Sequence, residues 1–242
     1  MENFDNQNLE NLQIEEYSKR HGEFLEQLIK YEENYKMLYQ IMADNTAIVA
    51  KNVQEWVQVF KNNILPERKR LGEYYDGENC IVKQGAVAGR PNYSINVNMA
   101  KYIIDVATGY AFGNPIKYAT DEENAKDILD RIQYVHKNCN VAELDFQQGG
   151  DMATYGVSYQ LVMAVGEGAI EDRIIFKHLN PLQTFYVVDN TILETPVCGI
   201  YFYSYKENNE DKTKIYVYDN DFLTIFVEKG GVITQENQEF HN

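Results

Sequence analysis

Apolar residues recur at three- and four-residue spacing through the first part of the chain and at alternate positions through much of the last. From Ile14 onward, Phe24, Leu28, Tyr31, Tyr35, Leu38 and Met42 share one face, with Glu and Lys elsewhere, which predicts an amphipathic helix. Asp44-Asn45-Thr46 interrupts it. A second helical stripe follows in Val49, Val53, Trp56, Val57, Phe60 and Ile64, and a polar stretch from Pro66 ends in an Asp76-Gly77 turn. Between Arg90 and Asn98, Asn residues alternate with Tyr93, Ile95 and Val97 in an extended segment. That segment runs into Met99–Phe112, where only Lys101 and Asp105 break an apolar, small or aromatic run. Gly113-Asn114-Pro115 stops this helix, which is predicted to be buried nearly all round, in the core or in a subunit contact. It is well short of the roughly 20 residues needed to cross a bilayer.

Thr120 with Glu123 reads as a capping box, the hydroxyl accepting from the Glu123 amide, before a helix that turns Ile128, Leu129, Ile132 and Val135 inward. Asn140 with Glu143 repeats the signature ahead of Val141, Leu144, Gln148, Met152 and Tyr155. Gly156 ends that helix. Beyond it the pattern becomes strand-like over 159–165, 174–179, 183–188, 198–205, 214–218 and 222–228. The polar link Lys206 to Lys212 marks a hairpin, and Gly230-Gly231 another turn. No crossover helices separate these strands, so an antiparallel or mixed sheet is expected rather than a βαβ fold. The fold class is α+β: a helical N-terminal half and a β-rich C-terminal part. Three segments are expected: an N-terminal helical segment over 1–66, a central helical region over 67–156 and a β-rich region over 157–242.

Composition narrows the function. The formal charge is −15, from 22 basic and 37 acidic residues. Long-range attraction to nucleic acid needs a positive surface, so a protein that grips DNA is disfavoured, while one that lets DNA pass without sticking is allowed. Nineteen Tyr and 11 Phe are a high aromatic load, which suits strands and interfaces. Cys80, Cys139 and Cys198 are widely spaced, with no metal-ligand pattern, which fits a reducing cytosol. Catalytic chemistry is sparse. His136 and Cys139 make at most half a metal site, and Glu143, Asp145 and Asp151 crowd one region as expected of an acidic chain. Neither a nucleotide-binding loop nor a nucleophile elbow is present. We therefore expect no enzyme, no catalytic residues, no metal and no cofactor. Arg68, Lys69 and Arg70 form the single basic cluster and are the candidate phosphate contacts, although flanking Glu67 and Glu73 also fit a salt-bridged helix surface.

Several motifs fall in a telling order: Arg70-Leu71 with Tyr74-Tyr75-Asp76-Gly77, Pro91-Asn92, Asn96 to Asn98, and Ala100 to Asp105 with Gly109-Tyr110, Gly113 and Pro115. Ala153 to Tyr159, Asn180-Pro181 before Phe185 to Asp189, and Ile215 to Asp219 follow. This succession resembles the N-terminal half of the portal proteins of tailed bacteriophages, in the branch typical of phages of Gram-positive hosts. The resemblance implies a structural subunit of a homo-oligomeric ring, usually of twelve copies, at one vertex of the head. It is the channel for packaging and ejecting double-stranded DNA, and terminase and head-completion or adaptor proteins dock on it. Capsid and scaffolding proteins are further partners, and no membrane is involved. The expected location is the portal vertex of the virion, and the host cytoplasm during assembly. The two parts of this chain resemble the portal wing, and the family's stem, clip and crown would lie after Asn242. For the subunit interface the candidates are Phe24, Tyr31, Tyr35, Trp56, Phe60, Tyr102 and Tyr110, some of which must instead be core. The alternative function is an acidic protein-interaction or adaptor domain without a DNA channel.

Overall fold

In the computed structural model, residues 40–78 and 97–240 are described. A short strand β1 (Gln40–Ala43) leads to a helix that runs from α1 (Ala50–Val59) through a π-helical turn (Phe60–Ile64) into α2 (Leu65–Asp76). Pro66 lacks the N–H that would bond one turn back, and beside it Leu65 N donates to Phe60 O, five residues earlier, so the helix widens instead of breaking. Gly77, at φ 82°, closes α2. Then come α3 (Met99–Phe112), α4 (Lys126–Asn138), α5 (Val141–Tyr155), β2 (Tyr159–Ala164), the short α6 (Ile170–Arg173) and β3 (Ile174–Leu179). The chain continues with β4 (Thr184–Asp189), β5 (Pro196–Glu207), β6 (Glu210–Tyr218), β7 (Phe222–Lys229) and β8 (Val232–Phe240).

Six strands form one sheet in the order β1-β4-β5-β6-β7-β8, while β2 and β3 pair apart as an antiparallel hairpin. β1 is parallel to β4 and every other neighbour is antiparallel, so the sheet is mixed. Alternation sets its inner face: Ile200 and Phe202 of β5, Ile215 and Val217 of β6 and Phe226 of β7 point inward, against Val53, Trp56, Val57, Phe60 and Ile64 of the α1 stripe. Phe60 stacks on Phe185 with ring centroids 4.6 Å apart and meets Phe202 edge-on at 5.6 Å. The remaining helices and the hairpin form a second unit behind α2.

Arg68 joins the two units. Its side chain is fully buried, with Nη1 donating to Pro181 O at 2.5 Å and Thr184 O at 2.9 Å, and Nη2 donating to the Tyr159 hydroxyl at 2.9 Å. The guanidinium also lies 5.3 Å from the Phe60 ring and 5.5 Å from that of Tyr159. One residue on α2 thereby holds β2, the turn before β4 and the first residue of β4.

Several expectations change. Met42 is not on a helix but in β1, whose parallel pairing with β4 is invisible to local periodicity. Residues 1–39, with the expected first helix, lie outside the described residues. Neither capping box forms. Thr120 Oγ1 accepts from the amide of Glu122, and α4 starts later, at Lys126. Asn140 takes a left-handed conformation, φ 51°, linking α4 to α5 with no side-chain cap. The β5–β6 turn tightens to Asn208-Asn209, both at positive φ, so the polar residues on either side belong to the strands. β8 was not expected at all. Its polar sequence lacks alternation, since only Ile233 is buried.

Candidate interaction surfaces

α3 differs most from expectation. At roughly 100° per residue, Met99, Tyr102, Ile103, Val106 and Tyr110 fall within an arc of about 100° on one side, while Thr108 and Phe112 lie opposite. That opposite side packs on α5, where Phe112 sits so close to Gly149 that an added Cβ there would come within 2.4 Å of its ring. The stripe side is bare: Tyr102 is 63% and Tyr110 93% exposed, and only Thr108 of the whole helix is buried. A helix this apolar with one open face departs from the all-round burial its sequence predicts. Its base is fixed. Asn98 Oδ1 accepts from Lys101 N at 3.0 Å, Asn98 Nδ2 donates to Tyr75 O at 2.7 Å, and Lys101 Nζ donates to the Tyr75 hydroxyl at 2.7 Å. The Tyr75 hydroxyl in turn donates to Asp105 at 2.9 Å.

The other candidate residues divide. Trp56 and Phe60, weighed as interface or core, belong to the core, filling the space between α1 and the inner sheet face. Arg68 is corrected as a phosphate contact: it is buried and its guanidinium serves backbone carbonyls and Tyr159. Lys69 and Arg70 are exposed, and Arg70 pairs with Glu67 on the same helix. Phe24, Tyr31 and Tyr35 lie outside the described residues.

Two surfaces escaped the sequence reading. The turn between β4 and β5 carries Ile192 and Leu193 at 100% and 82% exposure. It is nonetheless built. Asp189 Oδ1 accepts from Thr191 Oγ1 at 2.7 Å and from the Thr195 amide at 2.8 Å, while Asn190 donates to Asp44 at 2.7 Å and Gln40 to Glu194 at 2.7 Å. The bonds from Thr191 and Thr195 hold the Asp189 carboxyl below the usual carboxylate range, the Thr191 hydroxyl most of all. The second surface is a groove of about 510 Å³ between α4, α6 and the β2–β3 hairpin, floored by Ile132, Val135, Val162, Ile170 and Phe176. An ion pair between Arg131 and Glu171 sits on its lip. The sequence hint for the turn was two adjacent aliphatics inside a polar Asp-Asn-Thr link. For the groove there was none, because its walls come from three elements.

Of the polar residues weighed for catalysis, His136, Cys139 and Asp151 contact neighbouring elements, while Glu143 is exposed on α5. Cys139 Sγ donates to Ile174 O at 3.1 Å, and the His136 ring lies edge-on to Tyr118 and Phe176. His178 Nε2 and Asp151 Oδ2 are 2.5 Å apart, tying β3 to α5; burial raises the Asp151 carboxyl pKa and the histidine contact opposes that. No cluster of three metal-ligating side chains occurs among the described residues.

Residues 54–242 match the family model described as "Phage portal protein, SPP1 Gp6-like". The chain belongs to this portal-protein family. Curated proteins gave no match. Portal proteins are structural subunits rather than catalysts, and membership is consistent with a role in DNA packaging. No helix among the described residues is long and apolar enough to cross a membrane. Portal-like motifs named from the sequence take physical roles here: Tyr75 clamps α3 to α2, Gly77 caps α2, and Tyr159 receives the Arg68 guanidinium.

Proposed function

We propose that the chain is a structural subunit of the ring at a phage head's portal vertex. There it helps form the channel through which double-stranded DNA is packaged and ejected, with terminase and head-completion proteins docking on the assembly and capsid and scaffolding proteins surrounding it. The observation that carries this reading is the family match over 54–242. The bare stripe of α3 supports it, because a ring subunit needs apolar surface that only a neighbour covers. In this reading Tyr102 and Tyr110 face the neighbouring subunit, as do Phe24, Tyr31 and Tyr35, in a ring of about twelve copies. The acidic balance suits a conduit, since like charge suppresses adhesion of a polyanion over ~8 Å at physiological salt. Lys69 and Arg70 are the basic side chains through which this surface would touch phosphate. The β-rich region over 157–242 and the helical region over 67–156 correspond to the wing, preceded by the segment 1–66.

Negative-stain electron microscopy of the concentrated chain tests the reading. Closed rings with a central opening are the expected outcome. A field of two-fold dimers would contradict it, because a two-fold contact uses the same patch twice and cannot continue into a ring.

A further inference from the structure

We infer that the joint between the two units is a pivot, hinged at Leu65-Pro66 and at Leu179-Asn180 and locked by Arg68. The pivot lies within one copy, so it stands apart from the ring reading. On one side lies the six-stranded sheet with α1 and the π-helical turn; on the other lie α2 to α6 with the β2–β3 hairpin. Each side has packing of its own: the sheet closes on the α1 stripe, whereas α5 packs against α2, α3, α4 and β3. Among the described residues, no helix or strand of the second side packs appreciably against the sheet or α1. Two units that share so little apolar contact move relative to each other unless something else holds them.

Among the described residues the chain crosses between the units twice, and both crossings are weak points beside Arg68. The first is the helix itself, which leaves the sheet core after Ile64. There the π-helical turn meets Pro66, whose missing N–H leaves the ladder one bond short, and helices bend at such places. The second is Leu179-Asn180, where β3 ends. The turn after it already belongs to the sheet side, because Asn180 O accepts from Thr184 Oγ1 at 2.9 Å and from Gln183 N at 2.9 Å, and Gln183 O accepts from Phe202 N at 3.0 Å. Arg68 moves with α2, just past the first hinge, and its Nη1 reaches across to Pro181 O and Thr184 O, beyond the second. Its bond to Tyr159 stays within its own side. One side chain therefore ties both crossings together. Without its bonds across the joint, each hinge point turns by a few φ and ψ changes, re-aiming the bare face of α3 relative to the sheet while both cores stay packed.

Double electron–electron resonance tests the pivot, with spin labels carried on a genetically encoded keto side chain so that the native thiols stay unlabelled. Lys206 on the sheet side and Asp130 on α4 are both exposed and make the cross-joint pair; Lys206 with the exposed Asn220 is the control within the sheet. Labelled chain is diluted in unlabelled chain, so that the distances read lie within one copy. In Arg68→Met the cross-joint distribution should become about twice as wide while the control keeps its width. Tyr159→Phe removes a bond on one side only and should leave the cross-joint width as in the unaltered chain. Urea added to the unaltered chain should broaden the cross-joint pair before the control, a readout that needs no variant. An unchanged cross-joint width in folded Arg68→Met, equal broadening in Tyr159→Phe, or cross-joint and control pairs that broaden together in urea overturns the pivot.

Discussion

Replacing Arg68 tests both the architecture and the assignment of DNA contacts. Alanine removes the donors to Pro181 O, Thr184 O and the Tyr159 hydroxyl, and the cation beside two aromatic rings. Hydrogen bonds to a charged group contribute about 1.5–3 kcal/mol each, against which stands the several kcal/mol needed to strip water from a buried guanidinium. Deleting the charge recovers that desolvation term but leaves buried acceptors unsatisfied and a void beside α2. The net loss should be about 3–5 kcal/mol, a large share of the 5–15 kcal/mol typical of a folded domain. For a chain of this length about 2–4 °C is lost per kcal/mol, so the melting temperature should fall by roughly 10 °C. Arg68→Met keeps the stem's packing and should lose less, about 2–3 kcal/mol. Urea unfolding followed by circular dichroism gives the stability. Filter binding to duplex DNA over a salt series, on the folded Met variant, should show no change in affinity or salt slope. A stability loss under about 1 kcal/mol would refute the structural role. A weaker, less salt-dependent DNA interaction in the folded variant would restore Arg68 as a phosphate contact.

Three further outcomes follow from the structure. Tyr110→Asp changes a side chain that is 93% exposed, so monomer stability should stay within about 0.5 kcal/mol while sedimentation velocity shows weakened self-association; unchanged association would remove α3 from the interface. Gly149→Ala forces the Phe112 ring off α5 and should cost about 1–3 kcal/mol in thermal unfolding, with Phe112→Leu restoring part of it. Burial pushes the Cys198 thiol from its ordinary 9.0 up to about 12, so the folded chain keeps its proton where the unfolded one releases it. Stability should therefore fall as pH rises from about 9 toward about 12, and Cys198 should resist thiol reagents at pH 8 until the protein unfolds. Rapid labelling of native protein at that residue would contradict this.

Element type was largely legible, because α1, α3, α5 and the strands from β2 to β7 have strong local periods. What escaped was long-range. β1 is a strand only because β4 offers it an edge, and β8 is held by β7 with little apolar pattern of its own. For the candidate surfaces the same division holds. The α3 stripe was visible as an apolar run, but whether it was buried depended on how much of it α5 could cover. Arg68 looked like one of three surface cations, yet it stands eight residues after Phe60 and four after Ile64, on the inward stripe of a continuous helix. Reading the stripe through Pro66 would have placed it in the core.

The central claim is that this chain is a subunit of a closed ring. Its most direct test is the absolute mass of the purified chain by multi-angle light scattering, across a wide range of concentration and salt. One discrete high-order species near twelve copies that persists on dilution is the expected result. A mass that stays at the 28.1 kDa of one chain at every concentration would contradict it.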